Sequence, residues 1–378
     1  MYCLLFFFQI FTVVLPLHQF SSISGNEQPF FHQSIVWPLN VDQDIGIQWH
    51  FVYGLAEATD ESILCFAEGR IGRKDDAPHH IMLRRSLDKG RTWLGTQVIV
   101  KSKNGESFAN PTPVVERKSG KIFLFYAQNF HNTHSEVFYV SSSDHGITWS
   151  NPVNITKLFN IDPLKRPFHL PGPGHGIQLK NGRLLMQIWH RFSISLPVSD
   201  RQYGVSVVYS DDMGSTWQAG GFVPQHADFP ANESRLVELR NNKLLLDARF
   251  ATSGLHHRIQ YTSKDHGNSW SDPSFATLPA FTAVDASLSS LQINNTSFLM
   301  ATRPVDTSSR KKISISISSD EGKTWPYTRL IYHGPSDYSD AIQLSDGSIF
   351  VLYGRGDPRY VASARFNLAW VLAESRTK

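Results

Sequence analysis

Polar turn clusters followed by short apolar runs recur along almost the whole chain. The clusters fall at 60–62, 118–121, 180–183, 240–243, 294–295 and 345–347, and the runs after them read ILCFAE, IFLFYAQ, LLMQIWH, LLLDAR, SFLMATR and SIFVLYG. Apolar runs of this length, bounded by Asn, Asp, Gly and Ser, predict buried strands entered through hairpins. Alternating or β-branched stretches at 80–85, 137–141, 203–209, 258–262 and 313–317 predict a further strand in each of five units. Every one of these stretches runs into the phrase S-x-D-x-G-x-T-W, at 86–93, 142–149, 210–217, 263–270 and 318–325, with Ser269 for Thr as its single departure.

The phrase has a local mechanical logic. An Asp side chain accepts hydrogen bonds from N–H groups just ahead of it, and Gly two residues later supplies the positive φ of a tight turn. The Trp is a large apolar anchor, expected to tuck the corner against its own sheet. Asp88, Asp144, Asp212, Asp265 and Asp320 lie roughly 53–68 residues apart, the mark of one repeated unit that cannot bury its apolar face alone. Six hairpins with five such corners predict an all-β fold, a six-bladed β-propeller whose chain ends share the last blade. A β-solenoid would show shorter and more uniform repeats. The corners themselves are structural staples rather than chemistry.

Composition narrows the picture. A chain of 378 residues has room for one propeller, at 26–378, behind a leader at 1–25. That leader holds an apolar run at 4–17 followed by Ser and Gly, too short to span a membrane and suited to a cleaved signal peptide, although no basic residue precedes it. Sequons at Asn154, Asn232, Asn294 and Asn295 fit a secreted or secretory-pathway glycoprotein. Loss of Cys3 with the leader would leave Cys65 alone, without an intrachain disulfide and in a strand that reads as core. The net charge of +3 and the lack of any Lys/Arg run argue against nucleic acid. Adjacent histidines at 79–80 and 256–257 point to opposite faces of a strand, which gives a metal site no support, and no cofactor is expected.

Propellers bind ligands where their innermost strands converge, so charges at strand ends carry the interest. Arg70 with Arg73-Lys74-Asp75-Asp76, Asp247 with Arg249, and Arg303 with Arg310 all sit at such ends. Here the chain resembles the sialidase (neuraminidase) superfamily of exo-acting glycoside hydrolases. The specific matches are FAEGR at 66–70, IMLRRS at 81–86, GPGHGIQLKNGRLL at 172–185, NESRLVELRNNKLLLDAR at 232–249 and GPSDYSDAIQLSDGS at 334–348, in the family's order. The Asp phrases, the family's Asp boxes or BNR repeats, are shared more widely and speak only for fold.

The resemblance implies Asp75 as acid/base, with Asp76 as its neighbour should the register slip. It implies Tyr338 as nucleophile, Glu233 as the group that activates it, and Arg249 and Arg310 as two members of a carboxylate-binding cluster. Arg70 would line the pocket and Glu136 would stand for a pocket glutamate. A sialic acid carries a carboxylate on its anomeric carbon, which would repel a carboxylate nucleophile; a phenol with a pKa near about 10 avoids that but needs a base. Arginine forks hold such a carboxylate bidentately.

One departure stands out. The family's first arginine is replaced by Phe51, nothing before Arg70 is basic, and the glutamate that usually steadies that arginine is replaced by Gly354. A lost charged contact is worth about 1.5–3 kcal/mol, hence roughly ten- to a hundredfold in rate or binding. Arg355, or failing that His50, is the substitute this reading offers. The leading reading is a retaining exo-glycosidase acting on sialylated or other acidic-sugar glycoconjugates. Its alternatives are a non-catalytic glycan-binding propeller and a glycosidase of altered sugar specificity.

Overall fold

The computed structural model describes residues 27–293 and 296–373, and within them the fold is almost entirely antiparallel β. The leader, Cys3 and the sequons at Asn294 and Asn295 lie outside the described residues. Strand pairing can be followed as six consecutive antiparallel units of four strands each, the third carrying Ile177–Gln178 as a fifth, with Leu255–His256 and Phe281–Thr282 paired apart from them. The first comprises Trp49–Glu57, Ile63–Arg70, His79–Ser86 and Gln97–Val100. In the sixth, Ile349–Arg355 pairs with Tyr360–Phe366, and the outer edge of that strand is taken by Phe31–Trp37 from the other end of the chain. The chain ends therefore share the last unit, as the repeat pattern predicts.

The fifth and sixth units are joined by one long strand, Tyr327–Gln343. Its first half pairs with Lys311–Ser318 and its second half with Ile349–Arg355. First strands of neighbouring units touch at most junctions, the fourth unit's Ala231–Glu238 instead meets the third unit's second strand Leu184–Arg191, and Tyr327–Gln343 also touches Trp49–Glu57 of the first unit. All six apolar runs named from the sequence form second strands, and their side chains are almost wholly buried. Cys65 is a buried free thiol. Among the described residues, no helix is long and apolar enough to cross a membrane.

The corner phrases behave as expected in their polar part. At Asp144, Oδ1 accepts from Thr148 N at 2.9 Å and Oδ2 from Thr148 Oγ1 at 2.5 Å, while Ser142 Oγ accepts from Gly146 N at 2.9 Å. The residue before each phrase glycine is also left-handed, as Met213 is at φ 58° ahead of Gly214 at φ 80°.

The apolar part extends the sequence reading, because each Trp reaches the preceding unit as well as its own sheet. Trp217 of the third unit stands edge-on to Phe125 of the second at 4.8 Å, and Trp149 of the second to Phe66 of the first at 5.9 Å. Trp93 of the first unit meets Phe350 of the sixth at 6.2 Å. Trp270 donates to Gly221 O of the third unit at 3.1 Å, and Trp325 packs against a cluster shared by Val237 and Leu245 of the fourth unit and Leu288 and Leu299 of the fifth. The corners are thus staples between units. They also demand glycine sterically, since a Cβ on Gly214 would overlap the Phe123 ring.

Two outcomes follow. Gly214→Ala should cost about 2–5 kcal/mol, combining left-handed strain with an overfilled contact. Gly182→Ala, where φ is 94° but nothing stands within 4 Å, should cost only about 1–2 kcal/mol. Equal urea midpoints for the two variants would show that the inter-unit contact contributes nothing. Second, the Thr148 hydroxyl and N–H and the Ser142 hydroxyl hold Asp144 at about 2, and Thr216 and Ser210 hold Asp212 likewise, against an ordinary 3.8. Their contribution is complete above about pH 4 and is lost as pH falls toward 2. Asp144→Asn with Asp212→Asn should flatten that acid limb in denaturation measured from pH 5 to 2.

Candidate active site

Four first strands lose regular pairing at one end of their units. The register shifts between Phe51 and Tyr53, between Ala109 and Thr112, between Ala231 and Ser234, and between Ser336 and Ser339. A bulge puts two or more residues opposite one partner and re-aims the side chains it contains. The residues so re-aimed include Asn110, Asn232, Glu233, Asp337 and Tyr338. Bulged strands and the ends of second strands surround a cavity of about 330 Å³, lined by Phe51, Arg70, Asp75, Glu233, Arg249, Arg310 and Tyr338 among others.

At its floor the Tyr338 hydroxyl donates a short hydrogen bond to Glu233 Oε1. Arg249 Nη1 donates to Glu233 Oε2 at 2.6 Å and to Tyr338 Oη at 3.0 Å, tying phenol and carboxylate together. The Tyr338 ring lies 4.8 Å from that of Phe51. Burial, reinforced by the Glu233 charge, pushes the Tyr338 phenol well above 10, so it rests neutral and ionises only if its proton is taken as it reacts. Burial alone would depress Arg249, but Glu233 and Tyr338 beside it raise it.

A second cluster forms the adjoining wall. Arg70 Nε bonds Glu68 Oε2 at 2.7 Å and Arg70 Nη1 bonds Asp75 Oδ1 at 2.8 Å. The other oxygen of Glu68 accepts from Asn110 N at 2.8 Å, an N–H freed by the bulge. Burial lifts Glu68 to about 7 despite Arg70. Asp75 sits on the loop after Arg70 with its side chain 73% exposed, the one acidic group of the set open to solvent. Arg310 donates to Ala283 O at 2.8 Å.

Of the residues named from the sequence, Arg70, Asp75, Glu233, Arg249, Arg310 and Tyr338 meet around this cavity. Asp76 lies on the same loop but does not line it. Glu136 is elsewhere: it is on a third strand, His134–Ser142, where it accepts from Asn154 Nδ2 at 3.2 Å. Arg355 is not the substitute cation. Successive side chains of a strand face opposite ways, and its guanidinium lies over Tyr332 at 4.1 Å and toward Gln33. His50 is buried between Trp37 and Asp42 Oδ2, the latter at 2.8 Å.

Sequence reasoning missed Glu68, Asn232, Asp337, Arg191 and Arg359. FAEGR contains Glu68 and the site-bearing phrases contain Asn232 and Asp337, so their neighbours were a signal. Arg191 ends an apolar strand as Arg70 does. Arg359, in a hairpin tip, carried none. Among the described residues, no group of three or more His, Cys, Asp or Glu side chains is placed to hold a metal ion.

The chain matches the BNR repeat-like domain family over residues 61–351. It is 29% identical over 371 residues to a sialidase of Micromonospora viridifaciens, covering 88% of this chain and 55% of that protein. To Sialidase-3 of Bos taurus it is 29% identical over 234 residues, covering 56% and 54%. It spans about half the length of these curated relatives. Among solved structures, Hadza microbial sialidase Hz136 superposes with a TM-score of 0.78 at 23% identity, over 90% of this chain and 69% of the other. The intramolecular trans-sialidase of Ruminococcus gnavus, solved with oseltamivir carboxylate, superposes with 0.74 at 16% identity, over 89% and 98%. Similarity at these identities speaks for the fold. The chain belongs to the sialidase superfamily of BNR-repeat proteins.

Proposed function

We propose that the six units close as a six-bladed propeller and that the cavity is the active site of a retaining exo-glycosidase for terminal sialic acid or a related acidic sugar. The observation that carries this reading is the Tyr338–Glu233 hydrogen bond with Arg249 bridging both groups. A neutral phenol beside a carboxylate and a guanidinium suits attack on an anomeric centre that bears its own negative charge.

In the first step Tyr338 Oη bonds to the anomeric carbon and its proton passes to Glu233. The glycosidic C–O bond breaks, and the departing oxygen takes a proton from Asp75, which has first swung off Arg70 and taken that proton from solvent. In the second step water replaces the tyrosine oxygen, giving its proton to Asp75, while Glu233 returns its own to Tyr338. Each enzyme group ends in the state in which it entered the first step. Arg249 and Arg310 would hold the sugar carboxylate through both steps. The chain would act outside the cell or in the secretory lumen, with residues 1–25 removed.

A fluorogenic sialoside tests this. Tyr338→Phe should lower kcat by about a thousandfold or more, and Glu233→Gln by roughly 10²–10⁴-fold, while an acidic sugar analogue still binds both. Undiminished turnover by Tyr338→Phe would refute the mechanism. Binding by the wild type without turnover would favour a glycan-binding protein.

Secretion has its own check. Asn154 is exposed, whereas Asn232 is 7% exposed in the cavity wall beside Glu233. Glycopeptide mass spectrometry of protein secreted from eukaryotic cells should find sugar on Asn154 and none on Asn232. A glycan on Asn232 would be incompatible with an open cavity.

A further inference from the structure

Phe51 stands where the chain has no basic residue to offer, yet its ring is flanked by two guanidinium groups. Arg70 Cζ and Arg359 Cζ each lie 4.7 Å from its centroid. Arg359 comes from the short hairpin between Ile349–Arg355 and Tyr360–Phe366, far along the chain from Phe51 and Arg70. Its Nε pairs with Asp337 Oδ2, and the Asp337 side chain is only 2% exposed. No hydrogen-bond acceptor among the described residues meets the two terminal nitrogens of Arg359, and its side chain is 28% exposed. A guanidinium with a fixed inner edge and a free outer edge is ready for a planar anion.

The pair depends on two neighbours. Asp337 precedes Tyr338 in the same bulge, so its position and that of the phenol are set together. Gly354 makes room for it, because a Cβ there would overlap Asp337 Oδ1. The carboxyl feels Arg310 as well as Arg359, and burial, which these two cations oppose, lifts it to about 6. Phe51, Arg70, Arg310 and Arg359, with Arg73, Trp49 and Asp75, line an opening of about 250 Å³. It shares Phe51, Arg70, Asp75 and Arg310 with the main cavity. Its wall therefore holds four guanidinium groups and one carboxylate.

We propose that Arg359, positioned by Asp337, completes the carboxylate clamp with Arg249 and Arg310, so that the acidic group of the sugar lies beside the Phe51 face nearest Arg359. Phe51 serves as the flat platform that keeps Arg359 and Arg70 apart. Gly354 is required because any side chain there would displace Asp337. This inference rests on the acidic-sugar reading above and adds to it the residue that grips the acid.

Binding of the 2,3-unsaturated glycal of sialic acid and of its methyl ester, measured by calorimetry on the full chain, tests it. Arg359→Ala should weaken the acid roughly ten- to a hundredfold while leaving the ester within about twofold, and Arg359→Lys should recover only part of the loss. Gly354→Ala should reproduce the selective loss, and combining it with Arg359→Ala should add little, as expected of residues acting through one contact. Thermal melts identify any variant that fails to fold, and the ratio of acid to ester affinity is then read from Arg359→Lys alone. If Arg359→Ala and Arg359→Lys bind the acid like the wild type, or lose acid and ester equally, while Arg249→Ala loses the acid, this assignment is overturned and the acidic-sugar reading stands. A wild type that binds neither compound overturns both.

Discussion

The fold rests on a contact that no unit makes with itself. Each Asp phrase bends the chain through two consecutive left-handed residues, and at Gly90, Gly146 and Gly214 the neighbouring unit's side chains press against the second so closely that only glycine fits. The aspartate holds the bend with hydrogen bonds to the turn's own N–H and hydroxyl groups, while the tryptophan reaches across to the unit before it. Local polar chemistry therefore fixes a shape whose apolar face is useful only between units. That is why the phrase recurs at almost every unit, and why the first unit's tryptophan can reach the sixth. Units tied in this way present their first strands toward one another at a common level.

At that level the regular ladder is given up. Four first strands bulge where they border the cavity, freeing backbone groups and re-aiming polar side chains. Buried charge accumulates there, and each carboxylate is matched by a guanidinium: Glu233 with Arg249, Glu68 with Arg70, and Asp337 with Arg359. Unmatched, such groups would each cost several kcal/mol of desolvation, about 3–5 kcal/mol when one partner of a buried pair is removed. Arg310 is left with a backbone carbonyl as its hydrogen-bond partner. The site is thus nearly neutral in its deeper part and cationic at its opening, the gradient on which the proposed acidic-sugar reading draws.

Much of this was legible from the chain. The six apolar runs, the five corners and the shared last unit all follow from local rules, because hairpin turns and strand alternation are decided within a few residues. The cavity residues Arg70, Asp75, Glu233, Arg249, Arg310 and Tyr338 were found through phrases that resemble those of a known family, not through spacing. The resemblance misplaced one residue, and the substitute offered for the missing arginine failed as well. Glu136 sits on a third strand rather than an inner one, and Arg355 faces away from Phe51 because strand side chains alternate. The tryptophans were assigned to their own sheets because an aromatic residue in a turn does not declare which surface will cover it.

The sequence by itself determined the repeating unit, its corners and the residue types available for chemistry, since hydrogen-bonded turns and apolar periodicity are short-range properties. Only the tertiary structure decided which cation stands beside Phe51. Arg359 and Asp337 are brought together across a hairpin and a bulge, and the empty space at Gly354 that admits them exists only once two strands are paired. A missing arginine can be read from a sequence. Which side chain comes to stand near the gap cannot, because that is set by proximity in space and by the need to pair buried charge there.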